Sequence, residues 1–125
     1  MKIAEVCEKY GVPVDTLRYY ERIGLIPTVN RKSGIRDYNE GDLKWVEFVK
    51  CMRNAGLSIE VLIEYVTLSQ QGDTTASARK ELLAEQRKHL LARMDEMKKT
   101  LKRLDYKISV YDSVLSGKEK ELKWQ

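Results

Sequence analysis

The stretch TLRYYERIGLI, Thr16 to Ile26, sets two tyrosines between two arginines and stops at a glycine. Leu17, Tyr20 and Gly24 fall three or four residues apart and share one face of a helix. Asp15, Arg18, Tyr19 and Arg22 share a different face. One short helix therefore carries two faces with different tasks. Leu17, Tyr20 and Leu25 are expected to pack inside, and the cationic–aromatic face to meet something outside. Asp15 lies in the first turn, where a negative charge suits the helix N-terminus. Upstream, Ile3, Val6, Cys7 and Tyr10 line one side of a short helix that Gly11 ends. Two short helices joined by a tight glycine-containing turn make a helix-turn-helix pattern.

Downstream, Pro27 ends the helix and holds the residue before it extended. TVNRKSGIRDYNEGD then reads as a small hairpin turning at Lys32-Ser33-Gly34, with Val29, Arg31, Ile35, Arg36 and Tyr38 on its arms. It is short, basic and exposed, as a wing is. Asn39 or Asp42 caps a third helix, which runs to about Ala55 and is ended by Gly56. Ser58 caps a fourth, running to about Ser69. Gly72-Asp73-Thr74 is a break, and Thr74 or Thr75 is placed to cap a further helix.

From Leu83 the pattern becomes regular. Leu83, Leu90, Met97, Leu104 and Tyr111 recur every seven residues, and Arg87, Met94, Leu101, Ile108 and Leu115 fill the complementary position. Apart from Arg87 the seam is apolar, as in a coiled coil. A helix of about 40 residues is ~60 Å long at ~1.5 Å per residue, too long to bury its stripe on a globule of roughly 70 residues. A second copy of the chain is the expected partner. A hairpin folded within one chain is disfavoured, because neither Gly nor Pro lies between Gly72 and Gly117.

The 125 residues allow one modest domain plus an extended element. Charged residues make up 34% of the chain, and the mean hydropathy is −0.50. The net charge of +4 is moderate, and its distribution says more. From Arg18 to Arg36 there are five cations (Arg18, Arg22, Arg31, Lys32 and Arg36) against one acid, Glu21. MKIAEVCEKYGV predicts no secretory leader, and no apolar run approaches the roughly 18 residues of a membrane helix. Cys7 and Cys51 make neither a disulfide framework nor a metal spacing, which fits a reducing cytoplasm. His89 is solitary, so no metal site or catalytic dyad is expected. Paired carboxylates, a nucleophile–base pattern and a phosphate loop are all missing, which argues against an enzyme. No cofactor is implied.

GVPVDTLRYYERIGLIPTVNRKSGIRDY, followed by an acid opening a helix and then by GLSI at Gly56 to Ile59, resembles the MerR family of bacterial transcription regulators. The likeness is close over the first 70 residues, and the long helix matches in kind. One departure is Pro13, where the family often has a serine cap. The resemblance implies a mainly α fold: a winged helix-turn-helix DNA-binding domain over residues 1–71, with a small β-hairpin wing. A long coiled-coil dimerisation helix over 72–117 follows, and then a polar tail, 118–125. It also implies a homodimer joined by an antiparallel coiled coil through Leu83, Leu90, Met94, Met97, Leu101, Leu104, Ile108, Tyr111 and Leu115. Such dimers bind palindromic double-stranded promoter DNA with overlong spacing between the −35 and −10 elements. On effector binding they distort it for RNA polymerase, against the deformation cost of the duplex.

In that frame Thr16, Arg18, Tyr19 and Arg22 would enter the major groove or rest on its edges, where arginine reads guanine or pairs with phosphate. Arg31, Lys32 and Arg36 on the wing would grip backbone or minor groove. Tyr19 and Tyr38 would donate hydroxyls to phosphates. Most such contacts position rather than specify. Cys51, among Phe48, Val49, Met52 and Ala55, has two readings. By chemistry alone it is a small buried hydrophobe, with Lys50 and Arg53 favouring a thiolate and Glu47 opposing it. The family, however, includes a subgroup associated with aldehydes and other thiol-reactive electrophiles, with a lone cysteine near the end of this helix and a short tail. This sequence is similar to it, which makes Cys51 the candidate sensor. Cys7 is assigned to the core. Metal-sensing relatives carry cysteines at the start of the long helix, where this chain reads TTASARKELL, and multidrug-sensing relatives append a ligand domain. Two alternatives stay open: a coiled-coil protein-interaction module that does not act on DNA, and a regulator of another small molecule with Cys51 purely structural.

Overall fold

The computed structural model describes residues 1–117, so the tail expected at 118–125 lies outside the described residues. The chain divides into two compact units, one of residues 1–86 and one beginning at Arg87. In the first, α1 (Ile3–Tyr10) and α2 (Val14–Ile23) form the helix-turn-helix. Gly11 joins them at φ 65°, a left-handed conformation in which a side chain would be strained. Its N–H closes α1 onto the Cys7 carbonyl. Pro13 stands at the N-cap of α2 with φ −60° and makes no side-chain cap bond, so its ring fixes the backbone at the helix start but accepts no N–H as a capping serine does.

Beyond Gly24 the chain extends into β1 (Arg31–Lys32) and β2 (Ile35–Arg36), paired antiparallel with Arg31 opposite Arg36 and Lys32 opposite Ile35. Ser33 and Gly34 both take positive φ, 53° and 79°, the combination that a type I′ hairpin turn requires. The strands are shorter than the arms expected from sequence. Val29 and Tyr38, the expected outer ends, are instead drawn into the core.

Asn39 caps α3 (Glu40–Asn54) reciprocally: its side chain accepts the Asp42 N–H at 2.8 Å, and the Asp42 carboxylate accepts the Asn39 N–H at 2.9 Å. That exchange satisfies Asp42, which is buried. Ser58 Oγ accepts the Val61 N–H at the head of α4 (Ile59–Gln70). Val6, Leu17, Leu25, Ile26, Val46, Val49 and Leu62 meet in one core cluster that also holds Val29 and Tyr38. Trp45, Phe48 and Tyr65 stack between α3 and α4 with ring centroids 5.3–6.1 Å apart.

A three-residue 3-10 turn, Asp73–Thr75, precedes α5 (Ala76–Leu115). Thr75 does not simply start the new helix. Its hydroxyl lies 2.6 Å from the Leu68 carbonyl and 2.8 Å from that of Gly72, so its one proton can be given to the Leu68 carbonyl left open in the last turn of α4. Arg79 Nε donates back to the same hydroxyl at 3.0 Å. α5 is unbroken for 40 residues. Among the described residues no helix is long and apolar enough to cross a membrane.

Candidate nucleic-acid interface

The two faces of α2 separate as the periodicity requires. Leu17 is fully buried, and Tyr20 is half-buried against the core beside it. Arg18, Tyr19 and Arg22 are exposed, with Thr16 half-buried at their edge. The Arg22 guanidinium sits 5.3 Å from the centre of the Tyr19 ring, so cation and aromatic form one surface element. Arg18 keeps only a loose 3.8 Å approach to Asp15, whose carboxylate is almost wholly solvated. Burial holds the Cys7 thiol above its ordinary value, against the lowering pull of a backbone hydrogen bond and of Arg18. Cys7 is half-buried, in keeping with its assignment to packing.

On the wing, Arg31 and Lys32 are exposed, and Arg31 Nη1 donates to the Gly34 carbonyl at 3.2 Å across the turn. Lys2, Lys32, Ser33, Ile35, Arg36 and Asp37 line a hollow of about 230 Å³ on this side of the hairpin.

Two of the residues expected at the DNA are less exposed than Arg18, Tyr19 and Arg22. Tyr38 is 2% exposed, and its hydroxyl has no hydrogen-bond partner among the described residues. In this conformation it cannot reach a phosphate. Its backbone N–H pairs with the Met1 carbonyl at 2.8 Å, which swings the ring inward after β2 has ended. Arg36 is half-buried and directs Nε to Glu21 Oε1 at 2.6 Å. Its guanidinium is thereby tied to α2. The residue that sequence reading passed over is Glu21. The signal was present, since it is the lone acid among the basic residues from Arg18 to Arg36.

Cys51 is exposed, which corrects the small buried hydrophobe expected from chemistry alone. Two residues on from fully buried Val49, it has turned about 200° around the helix and faces outward. The cations beside it are engaged: Lys50 Nζ donates to the Tyr10 carbonyl, and Arg53 Nη1 donates to the Leu57 carbonyl at 2.6 Å. On α5, Leu83 and Leu90 are half-buried. Met94, Met97, Leu101, Leu104, Ile108, Tyr111 and Leu115 are 46–84% exposed in the single chain. Among the described residues no group of three or more His, Cys, Asp or Glu is arranged to hold a metal ion.

A helix-turn-helix with a basic hairpin beside its second helix, followed by a long helix with an exposed apolar stripe, defines a winged-helix DNA-binding fold. Comparison with known proteins gives it a family. The pattern of the MerR HTH family regulatory proteins matches residues 1–68, and that described as MerR, DNA binding, matches residues 43–106. The chain belongs to the MerR family of helix-turn-helix transcription regulators, which are not enzymes. It is 63% identical over 92 residues to the HTH-type transcriptional regulator AdhR of Bacillus subtilis. That match covers 73% of this chain and 66% of the relative, just short of two thirds of its length. Its structure is similar to that of a MerR family transcriptional regulator from Listeria monocytogenes, with a TM-score of 0.90 and 51% identity, covering 94% of this chain and 89% of the other. It is also similar to HiNmlR, a MerR family regulator lacking the sensor domain, seen bound to promoter DNA. There the TM-score is 0.84 and the identity 31%, with 92% of each chain covered.

Proposed function

We propose that this regulator acts as a homodimer on palindromic promoter DNA and distorts the spacer between the −35 and −10 elements for RNA polymerase, in the cytoplasm. Arg18, Tyr19 and Arg22, with Thr16 at their margin, meet the major groove and its phosphates, and Arg31 and Lys32 carry the wing contact. Residues 72–117 join two copies through the apolar stripe of α5. The observation that carries the reading is the exposed Arg18–Tyr19–Arg22 surface on a helix whose opposite face packs on the core through fully buried Leu17 and half-buried Tyr20. Packing accounts for Leu17 and leaves the cationic face without a role in the core. The relatives' names support the same reading: one is AdhR, and another was seen on promoter DNA.

The effector we infer is a thiol-reactive electrophile such as an aldehyde, and Cys51 is its target. The exposed sulfur would add as thiolate to the carbonyl carbon; the C–S bond forms as the C=O π bond opens, and the oxygen takes up a proton. Exposure of Cys51 favours this role over packing.

Salt dependence tests the DNA reading. Arg18, Arg22, Arg31 and Lys32 give eight cations in a dimer. If each neutralises one phosphate, the logarithm of the binding constant falls with the logarithm of salt at a slope of about −7. A slope shallower than about −2, or equal affinity for palindromic promoter and random duplex, would sink the proposal and favour a protein-interaction module.

A further inference from the structure

Glu21 is an acid on the helix that carries the cationic face, and both of its oxygens are engaged. Oε1 accepts Arg36 Nε at 2.6 Å, and Oε2 accepts the Val29 N–H at 3.2 Å. The two side chains are only 11% and 21% exposed. Their partners lie at the two roots of the wing, since Val29 precedes β1 and Arg36 closes β2. One carboxylate on α2 thus holds both roots of the hairpin.

The hairpin needs such a hold. Each strand has two residues, and an isolated two-stranded ribbon is marginal in water. Its orientation must come from anchors outside itself. Val29 is buried at one root, but a buried side chain fixes position better than rotation. The Glu21 carboxylate, bonded to Arg36 in β2 and to the backbone just before β1, fixes rotation. The tip at Ser33–Gly34 lies two to three residues beyond Arg36, roughly 7–10 Å at ~3.3 Å per residue. A swing of about 13° at the root moves the tip by about 2 Å and turns the long side chains of Arg31 and Lys32 through the same angle, enough to misalign charge-assisted contacts of about 2.8 Å to phosphate.

We propose that Glu21 is a positioning residue for DNA recognition. It touches no DNA, and it sets Arg31 and Lys32 of the wing at the spacing from Arg18, Tyr19 and Arg22 that one duplex requires. The proposal rests on the DNA reading given above.

Charge alone makes the opposite forecast, which gives the test its force. A carboxylate among DNA-facing cations repels phosphate, so removing it should tighten binding. Glu21→Gln keeps the shape and retains an oxygen for the Val29 N–H, losing only the ionic tie. The full chain would first select a duplex from random-sequence DNA, and the variant would then be measured on that duplex at fixed salt. Positioning requires binding weakened about tenfold or more, since a charged contact is lost at the wing of each protomer. Hydroxyl-radical protection should vanish where the wing lies and persist where α2 lies, with the circular dichroism unchanged. Equal or tighter binding by Glu21→Gln overturns the proposal, and so does uniform loss of all protections. Arg36→Gln examines the pair from its other side. Adding Glu21→Gln to it should weaken binding by no more than about twofold further, because the partner is already gone. A full additive loss overturns the proposal. If the wild-type chain selects no duplex at all, the DNA reading itself falls and takes the proposal with it.

Discussion

Replacing Tyr38 by Phe removes one oxygen from the core and leaves the ring in place. Tyr38 is almost wholly buried, and its hydroxyl has no partner among the described residues. A hydroxyl taken from water without a compensating bond costs about 1–3 kcal/mol. Tyr38→Phe is therefore expected to stabilise the fold by about 1–2 kcal/mol, since it recovers most of that desolvation. In a domain of 60–100 residues each kcal/mol moves Tm by about 4–8 °C, so the gain should be visible in a thermal scan. Protein concentration must be held fixed, because association shifts Tm by mass action. pH gives a second signature. Burial, the largest cause, pushes the Tyr38 phenol above its ordinary 10.0; Arg36 pulls it back, while Glu21, Cys7 and Asp42 add to the rise. The folded state then holds the proton more tightly than the unfolded chain. That contribution is complete below the unfolded value near 10.0 and is lost as pH rises through the higher folded value. The variant should lack this alkaline slope. Affinity for promoter DNA should stay within about threefold, because the hydroxyl does not reach the surface. A stability loss of about 1 kcal/mol would mean that the hydroxyl is hydrogen-bonded in the fold. A tenfold loss of DNA affinity at unchanged stability would return it to the phosphate contacts expected from sequence.

Leu17→Ala should cost about 2–5 kcal/mol in urea unfolding, as a fully buried leucine does, and a loss below about 1 kcal/mol would remove that face of α2 from the core. Arg18→Ala should weaken DNA binding across sequences and reduce the salt slope by about 2 per dimer, with the dimer intact; an unchanged slope would take Arg18 out of the phosphate contacts. Leu104→Glu places a charge in the seam and should give monomers in sedimentation velocity; persistent dimers would count against the stripe. Cys51→Ser should bind DNA like the wild type and lose any transcriptional response to an aldehyde in vitro. A normal response in that variant would put the sensor elsewhere.

The elements were legible because each is defined by local periodicity or punctuation. Leu17, Tyr20 and Gly24 at helical spacing place α2 without knowledge of its neighbours, and Ser58 and Asn39 mark helix starts by the bonds their side chains make. What could not be read was set by contacts distant in sequence. Arg36 and Tyr38 both stand on the arm of the hairpin read from sequence, so the family resemblance made both of them wing contacts. The strand ends at Arg36, however, and Tyr38 lies between it and the Asn39 cap, with its side chain in the core. Arg36 then meets a carboxylate fifteen residues earlier in the chain, a pairing no local window contains. Cys51 failed for another reason. Its apolar neighbours in sequence suggested burial, yet two residues along a helix is more than half a turn, and the face it shares is the solvent face.

The seam of α5 reverses that lesson, because there the sequence says more than one chain can satisfy. A helix draws most of its stability from burying an apolar face, and propensity alone supports long isolated helices poorly. Yet from Met94 to Leu115 every seam side chain stands largely in solvent, over some three heptads with no glycine or proline to relieve them. Single exposed apolar residues need no explanation, but a continuous stripe does. The regular spacing favours a helical partner of matching period, and the chain itself supplies one. Doubling also serves recognition. In the proposed dimer, one α2 and one wing would offer four cations to DNA, and joining two copies would make the second encounter intramolecular and multiply affinity without any new contact. On the proposed reading, the exposed stripe and the exposed Arg18–Tyr19–Arg22 face would work together, the stripe joining two chains so that a modest basic surface holds DNA more tightly.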